Sequence, residues 1–526
     1  MSNASTIPAA PEKASLNTWI AVLAGMIGAF MAILNIQITN ASLLDIEGGI
    51  GTGVDNGAWI STSYLIGEIV VIPLTGYFSR IFSFRRYIIA STIAFAIFSM
   101  ACAFATDLGS MIAMRGLQGF AGGVLIPMAF TMVVTRLPKS QQPTGLAMFA
   151  LAVTFAPAIG PTIGGYLTEN YGWQTIFFIN TLPSIAMVIA LALTLEKAPM
   201  QLGLLKEGDW AGIFTMTIGL SSLQTMLEEG NKDDWFGSPF IVKLAATAAV
   251  FLTAFIWIEL TVKKPLVDLR LLKNRNFAVG TLANVLVGIG LFGTVYVLPQ
   301  YLGQVQGYNA EQIGKVLAWT GLPQLLLIPL VPRLMKRFDL RYIGMVGIAL
   351  FAASCFMNTT MSLDYSGDQL LIPNIVRAIG QALILTPLTA IATAEIAPKD
   401  AANASGLFNM LRNLGGAVGT ASLSTIITKR EQFHSNIIGQ AVTTTRDEVR
   451  QRIDQMTGYF LSHGVSDFAT AQHQAIIALG KTVKRQALVM GFSDTFFVLG
   501  VLLAAAAVSL LLAKKASSAA GAAGAH

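Results

Sequence analysis

Two charged side chains stand inside long apolar stretches of this sequence. Glu68 lies within the apolar run 64–71, and Arg115 lies within the apolar run 111–135. Removing a carboxyl group from water favours its protonated form, so an acid in such a setting can load and release a proton near neutral pH. A buried arginine costs about 2.5–3.5 kcal/mol on insertion scales and should therefore face water or an acid. We predict that Glu68 exchanges protons and that Arg115 tunes it.

Both residues also have structural interpretations. Glu68 would then be a static partner for another polar helix, and Arg115 would belong to a fixed ion pair. The sequence gives no distance between the two side chains, so it leaves both interpretations open. Replacing Glu68 by glutamine separates them, because glutamine keeps the shape of the side chain but cannot titrate.

Other residues that often carry chemistry form no recognisable active site. The segment 475–482 ends like a phosphate-binding loop, but its first glycine is absent and no buried strand precedes it. His434, His463 and His473 lie in one segment at spacings that match no standard metal-ligand motif. Neither a His-Glu-x-x-His motif nor a nucleophile elbow occurs. The sequence thus predicts no enzymatic activity, no metal site and no cofactor.

The composition indicates a membrane protein. Hydrophobic residues make up 54% of the 526 residues and charged residues only 12%, against about 25% charged residues in soluble domains. This excludes an ordinary soluble enzyme, a disordered chain and a disulfide-stapled secreted module. Cys102 and Cys355 both lie in apolar runs and imply no disulfide framework. The net charge is +6, and the charged residues lie mostly between the apolar segments. This placement indicates membrane topology rather than nucleic-acid binding.

Apolar runs of roughly 20 residues, the length that a helix needs to cross a bilayer, recur along the chain. We count fourteen of them, among them the runs 210–227 and 404–427. Lysine and arginine fall in alternate loops, whereas the other short loops carry acids and only one cation, Lys232. Because cytoplasmic loops are enriched in Lys and Arg, this pattern predicts fourteen spans with both termini in the cytoplasm.

An internal repeat divides these spans into two halves. The Ile-Pro-Leu sequence at 72–74 recurs at 328–330, and other short matches recur at offsets between 255 and 262. Parallel repeats of this kind are an architecture of secondary transporters. The predicted organisation is a cytoplasmic segment 1–16, a six-helix bundle 17–196, two additional helices 209–260, a second six-helix bundle 277–513 that contains an extracytoplasmic helical segment 428–487, and a disordered cytoplasmic tail 514–526.

Three motifs give the chain a family resemblance. The segment 158–165 is similar to an antiporter signature, 115–119 resembles a motif linked to proton transfer, and 76–86 resembles a cytoplasmic loop motif. With these motifs the chain resembles the fourteen-span drug:proton antiporters of the major facilitator superfamily, the EmrB/QacA group. The resemblance covers nearly the whole length. It implies an all-α membrane protein with the major facilitator fold, in which two extra central helices join two six-helix bundles.

The antiporter signature implies a pivot in the fifth span. Gly160 and Gly164 form a face of small residues, extended by Gly165, that lets a neighbouring helix approach closely. Pro157 and Pro161 remove backbone donors and bend the helix. We expect this bend to act in alternating access, and close packing alone is the alternative.

The loop motif departs from the family pattern. Arg80 replaces the usual acid and Ser83 replaces the second glycine, so the charge-relay role of that acid does not carry over. Gly76 and the pair Arg85 and Arg86 still fit the role of a cytoplasmic gate loop.

The first span also departs from the family pattern, because Asn35 stands where an aspartate is usual. An asparagine cannot titrate, which favours neutral or anionic lipophiles over strongly cationic substrates. Polar residues inside the spans are candidates for the lining of a central cavity, and each of them could instead form an interhelical hydrogen bond. These candidates are Asn35, Gln37, Gln118, Asn284, Tyr296, Gln300, Arg377, Gln381, Asn409, Arg412 and Asn413.

The resemblance implies a proton-coupled antiporter that exports hydrophobic or amphiphilic toxic compounds by alternating access in the bacterial inner membrane. Its energy would come from the proton gradient rather than from a cofactor. The implied partners are small lipophilic substrates, membrane lipids, an EmrA-like periplasmic adaptor and a TolC-like outer-membrane channel, with no nucleic acid. A dedicated exporter of one endogenous metabolite, lipid or siderophore is the alternative, and a membrane receptor or scaffold is a more distant one.

Overall fold

The computed structural model describes residues 13–52, 54–263, 265–397 and 400–515. These residues form helices and connecting turns, with no strand among them, which confirms the all-α prediction. Most of the predicted N-terminal segment and of the predicted tail, namely 1–12 and 516–526, lies outside the described residues.

The chain forms its helices in three groups. The first group contains α1 (Leu16–Ala41), α2 (Leu43–Ile50), α3 (Val54–Phe82), α4 (Phe84–Ala103), α5 (Leu108–Gly122), α6 (Leu125–Arg136), α7 (Gln142–Tyr171), α8 (Thr175–Phe178) and α9 (Thr181–Thr194). The second group is the linker pair α10 (Trp210–Glu229) and α11 (Pro239–Thr261). The third group contains α12 (Arg275–Gln304), α13 (Ala310–Leu327), α14 (Val331–Arg337), α15 (Leu340–Met357), α16 (Gly367–Ala382), α17 (Leu385–Thr393), α18 (Ala401–Ala441), α19 (Asp447–Ser462) and α20 (Phe468–Ser509).

Polar side chains at the helix ends explain where several helices begin. Asp107 accepts a hydrogen bond of 2.9 Å from the backbone N–H of Ser110 at the start of α5, and Asn309 accepts one of 2.9 Å from Gln312 at the start of α13. Such caps satisfy backbone donors that have no partner inside the helix.

In each half of the chain, a short break divides one long span into two helices. The break lies between α5 and α6 in the first half and between α16 and α17 in the second.

Eleven helices among the described residues are long and apolar enough to cross a membrane, or up to twelve if the bent pair in α7 counts as one span. The protein is therefore a multi-pass membrane protein. The other two predicted spans, 210–227 and 404–427, lie in α10 and α18, which are helices of 20 and 41 residues. Both carry many polar residues, including several Ser and Thr, which lowers their apolarity. The count of fourteen is compatible with these helices and stays a prediction.

The two halves meet mainly along two pairs of helices. Within the first half, α1 packs against α7 and α3 packs against α5; within the second half, α18 packs between α12 and α20. Across the boundary α7 packs on α13, and α3 packs on α18. Ile69, Ile72 and Leu74 of α3 accordingly belong to the hydrophobic core of the second half. Any group at the centre of α3 or α18 thus lies where the halves meet.

The predicted extracytoplasmic segment is helical. α18 continues to Ala441, α19 follows, and α20 begins at Phe468 and runs for 42 residues. Within the segment His434 contacts Asp494 at 2.7 Å, and the ring of His463 stacks on Tyr459 at 4.0 Å. The described residues contain no group of three or more His, Cys, Asp or Glu that is arranged to hold a metal ion.

Candidate functional site

Arg115 is fully buried on α5 and is held by neutral oxygens. Its Nη1 donates hydrogen bonds of 2.5 Å to Oδ1 of Asn35 and 2.7 Å to Oε1 of Gln118. Its Nε donates a third bond of 3.2 Å to the carbonyl oxygen of Ile60. In the part of the chain that the structure describes, none of these bonds reaches a carboxylate. The arginine therefore ties α5 to α1 and α3 through amide groups.

Aromatic rings complete the environment of Arg115. The guanidinium carbon lies 4.4 Å from the ring centroid of Tyr64 and 5.7 Å from that of Phe177, distances at which the ring faces attract a cation. Arg377, its counterpart on α16, lies 5.8 Å from the ring centroid of Phe351. Each half of the molecule thus places a buried arginine against an aromatic ring.

Glu68 of α3 faces the interior of the molecule. Only 5% of its surface is exposed, and its buried Oε2 has no hydrogen-bond partner among the described residues. The positive charges of Arg412 on α18 and Arg115 on α5 both act on the carboxylate. The acid thus interacts with one cation of its own half and one cation of the other half.

A narrow pocket opens between the two halves beside this cluster. Its apolar walls carry three phenylalanine rings, and its polar groups include Arg412, Asn409 and Thr386. The hydroxyl of Thr386 is buried without a hydrogen-bond partner, so a donor or acceptor is available to a ligand there. The lining residues are Phe130, Leu146, Phe149, Ala150, Leu385, Thr386, Thr389, Phe408, Asn409 and Arg412. Two of the eleven cavity candidates from the sequence, Asn409 and Arg412, are among them.

Several other candidates form interhelical hydrogen bonds instead. Asn284 donates a bond of 2.8 Å to the carbonyl oxygen of Phe408, which joins α12 to α18. Gln381 accepts a bond of 3.0 Å from Gln324, which joins α16 to α13. These two contacts correspond to the structural alternative that the sequence left open, whereas Gln118 accepts from Arg115 within the same helix, α5.

The remaining candidates do not line that pocket. Tyr296 packs against the hydrophobic core of the second half, and Gln300 is half-buried on the same helix. Asn413 is half-buried beside Arg412 in α18, and Gln37 is half-buried in α1. The geometry assigns no shared site to these four residues.

The antiporter signature lies where α7 crosses α1. α7 bends by 44° between Thr144–Pro157 and Ile159–Tyr171, and it contains both Pro157 and Pro161. A Cβ atom at Gly164 would lie 2.9 Å from the carbonyl oxygen of Ile38. A side chain there would push the two helices apart, so the glycine permits their close approach.

The rest of the signature is consistent with the same close packing. A Cβ atom at Gly160 would lie 2.5 Å from the Cβ of Gln37, and Gly165 is buried. The other side of α7 contacts α13, where Thr162 meets Gly314. The predicted pivot thus lies between one helix of its own half and one helix of the other.

The loop between α3 and α4 turns sharply at the position where the family motif usually has glycine. Ser83 adopts φ 68°, in the left-handed region that a residue with a side chain rarely occupies. Arg85 donates a bond of 2.6 Å to the carbonyl oxygen of Ala192 at the end of α9, whereas Arg86 is exposed. The loop is therefore fastened to its own half.

The end of α3 that leads into this loop approaches the second half. Arg80 donates a weak bond of 3.4 Å to the carbonyl oxygen of Gly76 one turn earlier. A Cβ atom at Gly76 would lie 3.6 Å from Oδ1 of Asn403 in α18. The approach of Gly76 to Asn403 is thus a point where α3 meets α18 on the predicted cytoplasmic side.

Sequence reasoning missed the side of the pocket that the first half of the chain contributes. It also missed the hydroxyl groups that Thr386 and Thr389 contribute from the second half. Phe130 and Phe149 are both preceded by short apolar stretches, so nothing in the sequence distinguishes them from core residues. Thr386 and Thr389 are spaced three apart and share a helix face with one another, a pattern that indicates a polar stripe. This stripe could have identified the two threonines as site candidates from the sequence.

Comparison with known proteins decides the family. The sequence model of the Major Facilitator Superfamily matches residues 25–420. The chain belongs to the Major Facilitator Superfamily. Within the superfamily it is EmrB-like: it is 33% identical over 487 residues to the colistin resistance protein EmrB of Acinetobacter baumannii, covering 92% of this chain and 94% of that protein. It is 30% identical over 512 residues to the multidrug export protein EmrB of Escherichia coli K12, covering 96% and 98% respectively.

A solved structure confirms the major facilitator fold. The superfamily's proton:xylose symporter XylE, bound to 6-bromo-6-deoxy-D-glucose, superposes with a TM-score of 0.58 at 13% sequence identity. The match covers 93% of this chain and 94% of XylE. At this identity the likeness concerns the fold alone, and it confirms the fold class expected from the sequence.

Proposed function

We propose that this protein exports hydrophobic or amphiphilic toxic compounds across the membrane in exchange for protons. Its similarity to proteins named for multidrug export and colistin resistance supports the export role. The observation that carries the proposal is the pocket between the halves, which is lined by Arg412, the residue whose charge also acts on the buried acid Glu68. A ligand in this pocket and a proton on Glu68 would both act on the same arginine.

Proton exchange at Glu68 would change the electrostatic balance at the boundary. When Glu68 is ionised, its charge offsets that of Arg412 in the other half and favours contact between α3 and α18. When Glu68 is protonated, Arg412 is left as an uncompensated cation in a weakly polarisable setting, which is costly. The protonated state therefore favours a rearrangement of the two halves. A charge that crosses 100 mV is worth about 2.3 kcal/mol, so proton entry can drive uphill export.

The chemistry of the pocket favours a particular class of substrate. Three aromatic rings offer apolar contact, while Arg412 and the Thr386 hydroxyl offer hydrogen-bond donors. No carboxylate is among the residues that line the pocket, and a cationic substrate would meet the charge of Arg412. Neutral or anionic lipophiles that carry an acceptor oxygen are the substrates that fit, in keeping with Asn35 at the usual aspartate position.

The protein would act in a bacterial inner membrane with both termini in the cytoplasm, as its loop charges indicate. The helical segment formed by the end of α18, by α19 and by the start of α20 would then project outside the cytoplasm. We propose that an EmrA-like adaptor and a TolC-like channel receive the exported compound there. The length of this projection and the EmrB-like sequence support the partnership.

Transport in proteoliposomes tests the export role. A proton gradient imposed across the membrane should drive uptake of a fluorescent neutral lipophile into vesicles that contain protein in the inside-out orientation. Vesicles that contain the Glu68→Gln variant should bind the compound but lose the acceleration by the gradient. Equal uptake in the presence and absence of the gradient by the unmodified protein would contradict proton coupling. Susceptibility of a deletion strain to several toxic compounds distinguishes multidrug export from the export of one metabolite.

A further inference from the structure

A fold of two six-helix bundles does not require the linker pair, α10 and α11. The linker pair nevertheless forms hydrogen bonds with both bundles. A turn at 229–235 joins its two helices. This turn lies beside the start of α3 and beside the middle of α18. By the charge pattern of the loops, this is the extracytoplasmic side of the boundary between the halves. We refer to residues 229–235 as the linker turn.

Three hydrogen bonds fasten the linker turn to α18. The side-chain amide of Asn231 donates to Oγ of Ser424 at 2.9 Å and to Oγ1 of Thr428 at 3.2 Å. The indole N–H of Trp235 donates to Oγ1 of Thr425 at 2.9 Å. These donors and acceptors belong to different helices, so the bonds have no role in forming either helix.

The backbone of the linker turn is strained at the same place. Asp234 and Trp235 adopt φ 54° and 49°, in the left-handed region that non-glycine residues rarely occupy. Such conformations persist when surrounding contacts hold them. The bond from Trp235 to Thr425 is one such contact, which indicates that attachment to α18 shapes the turn.

One buried contact joins the linker turn to α3. The hydroxyl of Thr62 donates a bond of 3.2 Å to Oε1 of Glu229, and both side chains are almost fully buried. The other carboxylate oxygen of Glu229 lies 3.5 Å from Nζ of Lys232 within the turn. The carboxylate therefore connects a cation of the linker turn to a hydroxyl of the first half.

We propose that the linker turn is a clasp that holds the extracytoplasmic end of α3 to α18, with Glu229 as the gating residue and Asn231 and Trp235 as its anchors on α18. The inference rests on the proposed transport function, because alternating access requires α3 and α18 to separate at this point. Three hydrogen bonds and an ion pair between Asp234 and Lys429, at 3.9 Å, attach the turn to α18, and one hydrogen bond attaches it to α3. Opening therefore breaks the bond between Thr62 and Glu229, while the turn stays on α18.

Accessibility of a buried position tests the clasp. Ser63 of α3 is 7% exposed, and the native Cys102 and Cys355 are buried. In a Ser63→Cys background, Asn231→Ala and Trp235→Phe should speed labelling by a membrane-impermeant thiol reagent about two- to tenfold, the effect of losing one or two net hydrogen bonds on a two-state equilibrium. Matched controls are Asn170→Ala, whose amide bonds within its own helix, and Trp257→Phe, whose ring is 68% exposed. Labelling rates that equal those of the controls would overturn the proposal.

Cross-linking tests which contact must open. Oxidation of a Thr62→Cys/Glu229→Cys pair should abolish transport while equilibrium binding of substrate is retained, and reduction should restore transport. Oxidation of an Asn231→Cys/Ser424→Cys pair should leave transport largely intact. The control pair is Thr443→Cys/Thr445→Cys, exposed hydroxyls 2.7 Å apart within one loop. Full transport by the cross-linked Thr62–Glu229 pair would refute the clasp. Absence of transport in the parent protein would instead refute the proposed function, and the labelling experiment would still decide whether the clasp exists.

Discussion

Nη1 of Arg115 donates a hydrogen bond of 2.5 Å to Oδ1 of Asn35, the residue at the position where the family resemblance leads us to expect an aspartate. The bond shows how a buried cation is accommodated without an acid beside it. Amide oxygens and two aromatic rings surround the guanidinium, and its remaining nitrogen, Nη2, is buried without a partner among the described residues.

Removal of the asparagine should therefore destabilise the protein. Asn35→Ala leaves a buried charged donor without its acceptor, a loss of about 1–3 kcal/mol in the free energy of unfolding. Asn35→Asp should keep the hydrogen bond and the stability. Thermal unfolding in detergent measures both effects. Asn170→Ala is the control, because that side chain is exposed; a midpoint for Asn35→Ala equal to that of the control would contradict the prediction.

Glu68→Gln should uncouple transport from the proton gradient. Glutamine retains the size of the side chain but cannot release a proton, so uptake driven by a pH gradient should fall at least about tenfold, while exchange of labelled for unlabelled substrate continues. The control is Glu311→Gln, which removes an exposed carboxylate paired with Lys315 at 2.8 Å. Full gradient dependence in Glu68→Gln would show that another group carries the proton.

Arg412→Gln should change the charge preference of the protein. Without the cation in the pocket, binding of anionic lipophiles should weaken about tenfold, and cationic lipophiles should become better substrates. Equilibrium binding of a matched series of one neutral, one anionic and one cationic compound measures the shift. Lys484→Gln removes an exposed cation outside the pocket and should leave all three affinities unchanged. An unchanged ranking in Arg412→Gln would locate the substrate elsewhere.

Stability in acid should depend on Asp339, in the turn before α15. Four hydrogen bonds from Arg341, at 2.9, 3.0, 3.2 and 3.3 Å, lower the pKa of this carboxyl group below its ordinary value of 3.8. A depressed pKa contributes stability above the unfolded-state pKa, and this contribution is lost as the pH falls through the folded-state pKa. Asp339→Asn should thus lower stability by about 1–2 kcal/mol at neutral pH and flatten its decline below about pH 4.

The measurement for Asp339 is thermal unfolding in detergent between pH 2 and pH 7. Asp454→Asn is a suitable control, because that residue lies exposed on α19 and has no recorded ion pair among the described residues. Parallel pH profiles for Asp339→Asn and the unmodified protein would contradict the prediction.

Much of the fold could be predicted from the sequence, because its determinants are local. A membrane helix shows in about 20 consecutive residues, and the repeat shows in short matches such as 72–74 with 328–330. The helical nature of the segment around α19 followed from its helix-forming composition. The number of spans does not follow as directly, because the polar residues of α10 and α18 interrupt the apolar runs from which the spans are counted.

The site could be predicted only in part, since it is built from contacts between distant parts of the chain. The sequence identified Glu68 and Arg115 as candidates for proton coupling and Arg412 as a candidate for the cavity lining, but it could not show that the charge of Arg412 acts on Glu68. The bond between Thr62 and Glu229 joins residues 167 positions apart and leaves no pattern in either segment. Ser83 illustrates a local limit, because its left-handed φ is unusual for serine.

The length and anchorage of α20 have a mechanical consequence. Its 42 residues form a rod about 63 Å long that begins outside the bundle and ends at the predicted cytoplasmic face. There Arg341 donates a bond of 3.0 Å to the carbonyl oxygen of Ala513, and Arg275 donates one of 2.7 Å to that of Leu512. A sideways force on the extracytoplasmic end of α20 would exert a torque on the starts of α12 and α15, where Arg275 and Arg341 hold the other end. A partner bound at the extracytoplasmic end could thereby move the opposite side of the protein without entering the membrane.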